Sequence, residues 1–148
     1  MLESIDPGSY EHSWKVTQVR LIFENLGFCE NWKSERMLRA GKKGGNKVPD
    51  GFFIPNQKGI TVEVELNKPK KASRYREIFE IYERDSKIDY VFYVCGSLPL
   101  LTYIRRLTKK VYVSKTYCFM LFDDLVKSQE KAMVQVNGKE LPLKRILK

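Results

Sequence analysis

Apolar positions along the chain switch between a helical and an extended period, and the switches mark its elements. Val19, Ile22, Phe23 and Leu26 recur at i, i+3, i+4 and i+7, predicting a helix over about 13–26 with Gly27 as its stop. Phe28 to Trp32 reads as a strand, and Ser34-Glu35-Arg36 as extended chain or a turn. Val48 to Ile54 is a short apolar run carrying Pro49-Asp50-Gly51. Ile60 to Lys68 then alternates, with Val62, Val64 and Leu66 on one face and Glu63, Glu65 and Asn67 on the other. Turn residues from Pro55 to Gly59 join the two runs into a hairpin that brings Asp50 near Glu63 and Glu65.

Beyond Pro69 the period returns to 3.6. Tyr75, Ile78, Phe79 and Tyr82 form the stripe of a helix over about 72–86. Asp89 to Cys95 is continuously apolar, as in a strand covered on both faces. Ser97 caps a further helix with Pro99 in its first turn, and Leu100, Ile104 and Leu107 face the core. Tyr117 to Phe122 is another strand, Asp123 to Lys131 a short helix or loop, and Val134 to Leu141 a hairpin around Asn137-Gly138. The order predicts an α/β sandwich with a mixed central sheet. Residues 1–12 read as an N-terminal arm, 13–131 as the main domain, and 132–148 as a tail packed on it.

Composition narrows the class. A chain of 148 residues with 43% hydrophobic and 12% aromatic residues can bury roughly two thirds of its unfolded surface in one core. No apolar run approaches a membrane span, and no secretion signal opens the chain, so the expected setting is cytoplasmic with no membrane partner. Cys29, Cys95 and Cys118 are odd in number and widely spaced, which fits reduced core thiols better than disulfides or a zinc site. A net charge of +9 points to a polyanionic partner, and nucleic acid is the commonest.

Three carboxylates brought together at a sheet edge repel one another, and a divalent cation is the simplest physical reason for such an arrangement. Oxygen donors without nearby histidine or cysteine suit Mg²⁺ or Mn²⁺ rather than zinc. A blander account stays open: alternation alone puts polar residues at Glu63 and Glu65, and Asp50 can serve as a turn residue. Lys42, Lys43, Lys47, Lys68, Lys70, Lys71 and Arg74 are the candidate phosphate contacts. His12 reads as a surface or cap residue, and Trp14, Trp32 and Tyr75 as core.

The words Trp32-Lys33-Ser34-Glu35-Arg36, Val48-Pro49-Asp50-Gly51 and Val62-Glu63-Val64-Glu65-Leu66, followed by Lys70, Arg74 and Tyr75, stand in a distinctive order, with 12 residues between Asp50 and Glu63. In this the chain resembles the PD-(D/E)xK nuclease-like superfamily, and within it the replication-relaxation type proteins of plasmids and mobile elements. The resemblance implies a restriction-endonuclease-like αβββαβ core. It implies Asp50 and Glu63 as metal ligands, and Glu35, Asp50, Glu63 and Glu65 as the catalytic set. The superfamily's usual lysine is replaced by Glu65, which cannot donate positive charge but can accept a proton or hold a second metal. Lys68 falls on the opposite strand face, whereas Lys70 or Lys71 can swing back once Pro69 ends the strand.

Three functions follow. One is cation-dependent phosphodiester hydrolysis with Mg²⁺ or Mn²⁺. A second is DNA binding through the phosphate backbone on the same fold without cleavage, in plasmid or mobile-element replication, relaxation or mobilisation. The third is a non-catalytic interaction module that joins replication or mobilisation proteins, or a second copy of the chain as a homodimer.

Overall fold

A computed structural model describes residues 7–41 and 47–148. Its elements are α1 (Pro7–Asn25), β1 (Lys33–Ser34), α2 (Glu35–Ala40), β2 (Gly51–Phe53), β3 (Ile60–Glu65), α3 (Ala72–Arg84), β4 (Tyr90–Cys95), α4 (Leu98–Thr108), β5 (Thr116–Leu121), α5 (Phe122–Ser128), a 3₁₀ turn (Gln129–Lys131), β6 (Met133–Val136), β7 (Lys139–Pro142) and α6 (Leu143–Leu147). The strands form one sheet in chain order. β1, β2 and β3 run antiparallel, β3, β4 and β5 run parallel, and β5, β6 and β7 are again antiparallel. This is the mixed sheet flanked by helices that the sequence predicts, with the αβββαβ order at its centre.

Two apolar layers sandwich the sheet. Val62, Val64, Phe92, Val94, Cys118 and Met120 face Val19 and Phe23 of α1, with α5 and α6 beside them. The alternate residues Val91, Tyr93, Cys95, Tyr117 and Phe119 face Tyr75, Ile78, Phe79 and Tyr82 of α3 and Leu101 and Ile104 of α4. The parallel strands are therefore buried on both faces, which is why β4 reads as an unbroken apolar run. Ser97 caps α4, its side chain accepting from the Leu100 N–H. Asn137 and Gly138 carry the positive φ values of 51° and 73° that a tight hairpin turn between β6 and β7 requires. The three cysteines are free and buried.

Several local expectations are corrected. Residues 7–12, read as part of an arm, belong to α1, which begins at Pro7, a residue suited to a helix start. Phe28 to Trp32 forms turns and bends, not a strand; Phe28, Cys29 and Trp32 are buried by packing against the first apolar layer. Ser34-Glu35-Arg36 opens α2, because the Ser34 side chain accepts from the Met37 N–H. Trp14 is 58% exposed on the outer face of α1, while Trp32 stacks on Phe53 with ring centroids 5.8 Å apart. Residues 132–148 complete the sheet and add α6, whose Leu143 is fully buried.

Candidate functional site

The site is built by the β2–β3 pairing. Gly51 lies opposite Val62, Phe52 opposite Thr61, and Phe53 opposite Ile60. Asp50 stands one residue before the paired segment, so it falls beside Glu63. Its Oδ2 accepts the Val64 N–H at 2.8 Å, which fixes the carboxylate to the backbone of β3. Gly51 is required here because a Cβ would lie 1.9 Å from the Trp32 ring. Along β3 the alternation puts Glu63 and Glu65 on the face roofed by α3. There the Tyr82 hydroxyl donates to Glu63 Oε1. Asp50, Glu63 and Glu65 are only 6%, 2% and 5% exposed, so these acids are not solvated strand residues.

Each acid has a basic neighbour from a different part of the chain, one from α1 and two from loops. His12 of α1 places Nε2 3.2 Å from Asp50 Oδ2 and 3.1 Å from the Val64 carbonyl oxygen. A ring nitrogen facing two acceptors carries the proton. The Asp50 hydrogen bond, opposed by partial burial, pushes His12 above its usual pKa. Lys47 donates from Nζ to Glu63 Oε2 at 3.3 Å. Burial alone would lower the Lys47 pKa, but attraction to Glu63 and Asp50 outweighs it and raises it. Lys70 donates to Glu65 Oε1 and sits over the Tyr75 ring.

Glu63 and Lys47 do not behave as a balanced ion pair. Burial first, and Asp50 second, push the Glu63 carboxyl up to about 7, although Lys47 and Tyr82 pull the other way. Asp50 and Glu63 repel one another in a buried setting, and an added cation would relieve that repulsion.

The remaining candidates are dispersed. Glu35 lies in the first turn of α2, half exposed, and its Oε1 accepts from Arg39 Nε at 3.0 Å and Nη2 at 2.9 Å. It is tied to its own helix and joins the buried acids only through its field at Lys47. Lys68, Lys71 and Arg74 are exposed around the N-terminus of α3, where Arg74 also meets Glu77. Lys42 and Lys43 lie outside the described residues. His12 and Tyr82 are the site residues that sequence reasoning missed. His12 could have been flagged as the chain's one histidine, but a helix start set at residue 13 left it outside. Tyr82 was assigned to the apolar stripe, correctly for its ring, and nothing in the sequence reveals where its hydroxyl goes.

The expected meeting of three carboxylates at one point does not form. Among the described residues, no group of three or more His, Cys, Asp and Glu side chains is gathered closely enough to hold a metal ion. The reason is the partners just described. Glu65 is drawn to Lys70, Glu63 to Lys47 and Tyr82, and Asp50 to His12 and the Val64 N–H. Asp50 and Glu63 remain as a close, mutually repelling pair.

A mixed sheet with an antiparallel β1–β3 meander, a crossover helix onto parallel β4, and acids where β2 meets β3 defines a restriction-endonuclease-like fold. Among solved structures, the chain is similar to the small subunit (R.BspD6I2) of the heterodimeric restriction endonuclease R.BspD6I, with a TM-score of 0.56 and 19% sequence identity. The match covers 97% of this chain and 80% of that one. No protein-family model and no curated protein sequence matches the chain. Among the described residues, no helix is long and apolar enough to cross a membrane.

Proposed function

We propose that the chain is a DNA-binding protein of nuclease-like fold that hydrolyses phosphodiester bonds with the help of a divalent cation. One observation carries this reading: Asp50, Glu63 and Glu65 are buried, each beside a basic side chain, with Glu63 under Tyr82 of α3 and Glu65 joined by Lys70 to the N-terminal end of that helix. Burying three acids and their partners gives no stability that apolar residues would not give, so their retention favours a chemical role. The similarity to a restriction endonuclease subunit supports the same class.

The residues fit a cation held by two carboxylates rather than three. Asp50 and Glu63 offer hard oxygen donors side by side, and their mutual repulsion is what a cation would relieve. Mg²⁺ or Mn²⁺ bound there would polarise a phosphate and acidify a water. The chain's own residues supply the rest. His12 and the Val64 N–H hold Asp50 in place. Lys70 restores the positive charge that Glu65 lacks, reaching back past Pro69 to lie beside it, and is placed to offset charge on a bound phosphate. Glu65 is the proton acceptor. Lys68, Lys71 and Arg74 surround the α3 N-terminus, whose unpaired N–H groups favour an anion, and they bind the backbone beside the cut. Lys47, paired to Glu63, would be freed for a phosphate if a cation took over that acid. The sequence words from Val48 to Tyr75 support a setting in plasmid or mobile-element replication or mobilisation.

A second reading keeps DNA binding without cleavage. It is favoured by the fact that every buried acid already has a protein partner within hydrogen-bonding reach. In either reading the chain acts beside other subunits. The solved neighbour is one subunit of a heterodimer, and Tyr10, Trp14 and Leu21 leave an exposed apolar row on α1.

DNA binding is tested by gel shift without divalent cation at increasing salt. Wild type is expected to bind, and the triple substitution Lys68→Ala, Lys71→Ala, Arg74→Ala is expected to flatten the salt dependence by about three phosphate contacts. No shift even at low salt would remove both readings.

A further inference from the structure

A second basic surface lies at the far end of the sheet from the carboxylates. It is a groove of about 790 Å³ between the end of α4, the loop leading into β5, and the β6–β7 hairpin. Arg105, Lys109, Lys115 and Lys139 line it against one acid, Glu140. Arg105 donates to Gln135 of β6 and Lys115 donates from Nζ to the Asp85 carbonyl at 3.0 Å, so these two are held in place. Among the described residues, no side-chain hydrogen bond or ion pair engages the ammonium group of Lys109 or Lys139. Tyr112 lies on the rim with 88% of its surface exposed. Tyr117 lines the floor, is only 7% exposed, and its hydroxyl has no hydrogen-bond partner among the described residues.

The groove opens on the same sheet face as Glu63 and Glu65, since Tyr117 and Phe119 share the layer under α3 and α4. Thr116 aligns through Tyr90 with Ile60. Glu65 is therefore five residues and two strands away, roughly 20 Å at ~3.3 Å per residue and ~4.8 Å per strand.

We propose that this groove is a second nucleic-acid contact, which holds the phosphodiester backbone of one DNA strand about 20 Å from Glu65 and stacks a base on Tyr112. The inference deepens the DNA-binding reading and rests on it. Four cations line the groove against Glu140, with Glu83 held behind Ser114 and Lys115, and the remaining positive excess selects a polyanion. The fixed Arg105 and Lys115 give the site shape, while Lys109 and Lys139 are left to meet phosphates. An exposed tyrosine beside them is what base stacking uses. A cleft between a helix end and a hairpin takes a strand, whereas the exposed lysines around α3 form an open surface.

The test is fluorescence anisotropy of a labelled oligothymidine over a salt series. It uses wild type, Lys109→Ala/Lys139→Ala, Tyr112→Ala, and Lys68→Ala/Lys71→Ala as the comparison at the other end. All these positions are exposed, so melting temperatures should stay at the wild-type value. The groove pair is expected to reduce the slope of log affinity against log salt by about 1.4, at ~0.7 per lost single-strand contact. Tyr112→Ala is expected to weaken binding about tenfold. Unchanged affinity and slope in the groove variants, with wild type and the α3-end variant still distinguishable, would overturn the groove while leaving the DNA reading standing. No binding by wild type at low salt would instead take down the DNA reading and the groove with it. A polyglutamate peptide that loses binding in the groove variants, while oligothymidine does not, would reassign the groove to an acidic protein segment and overturn the proposal.

Discussion

Glu63 is the residue on which the electrostatics turn. Its carboxyl is raised from 4.5 to about 7, by burial and then by Asp50. A carboxyl with a raised folded pKa holds its proton more tightly folded than unfolded. Its contribution to stability is therefore full below the unfolded value of 4.5 and is lost as pH climbs through about 7. At ~1.4 kcal/mol per pH unit, the loss across that window is roughly 3–4 kcal/mol. Glu63→Gln stays neutral throughout. In urea melts it is expected to exceed wild type by roughly 2–4 kcal/mol at about pH 8 and to converge with it at about pH 4. A gap that is the same at both pH values would contradict this. Mg²⁺ or Mn²⁺ at about pH 8 should stabilise wild type but not Glu63→Gln, since only a ligand for the folded state raises stability. Tyr82→Phe removes a donor from a buried acid and is expected to lower stability by about 1–3 kcal/mol, read by thermal melting. At this scale the sequence was partly informative. Asp50, Glu63, Glu65 and Lys70 could be placed from alternation and the Pro69 break. His12 and Tyr82 could not, because their roles depend on which helix covers which strand.

The elements that carried a clean period were legible, and those held by packing or a single cap were not. α3 and β4 follow from Tyr75-Ile78-Phe79-Tyr82 and from the unbroken run before Cys95, because burial on one or both faces leaves its mark on composition. Phe28 to Trp32 has the composition of a strand but forms turns, because its apolar side chains fill the layer under α1 and its backbone takes no place in the sheet. Glu35 to Ala40 has no buried residue, so no stripe announced α2, and only the Ser34 cap determines its start. Gly51 ties two elements together at the site. Gly51→Ala is expected to force the Trp32 ring and β2 apart and to lower stability by at least about 1–3 kcal/mol, measured by chemical denaturation. A fully stable variant would mean that Trp32 can yield more freely than its stacking on Phe53 indicates.

Across the molecule, the sheet's chain-order topology makes the C-terminal segment a working part of the core. Val134, Leu143 and Leu147 are at most 4% exposed and join the layer of α1. Leu143→Ala is expected to lose about 2–5 kcal/mol in a single cooperative transition, whereas a separable tail would melt without affecting the rest. The sandwich and its mixed sheet were legible because α1, α3 and α4 carry helical stripes and β4 and β5 are apolar on both faces. That the third acid would be drawn away from a common point was not, since His12 comes from α1 and Lys47 and Lys70 from two separate loops. The measurement that tests the central claim most directly is nicking of supercoiled plasmid and cleavage of single-stranded DNA with Mg²⁺ or Mn²⁺, by wild type, Asp50→Asn and Lys70→Met. The account predicts cation-dependent cleavage by wild type, none by Asp50→Asn, and a rate about a hundredfold lower for Lys70→Met. Cleavage unchanged in Asp50→Asn, or DNA bound by wild type but never cut, would contradict it.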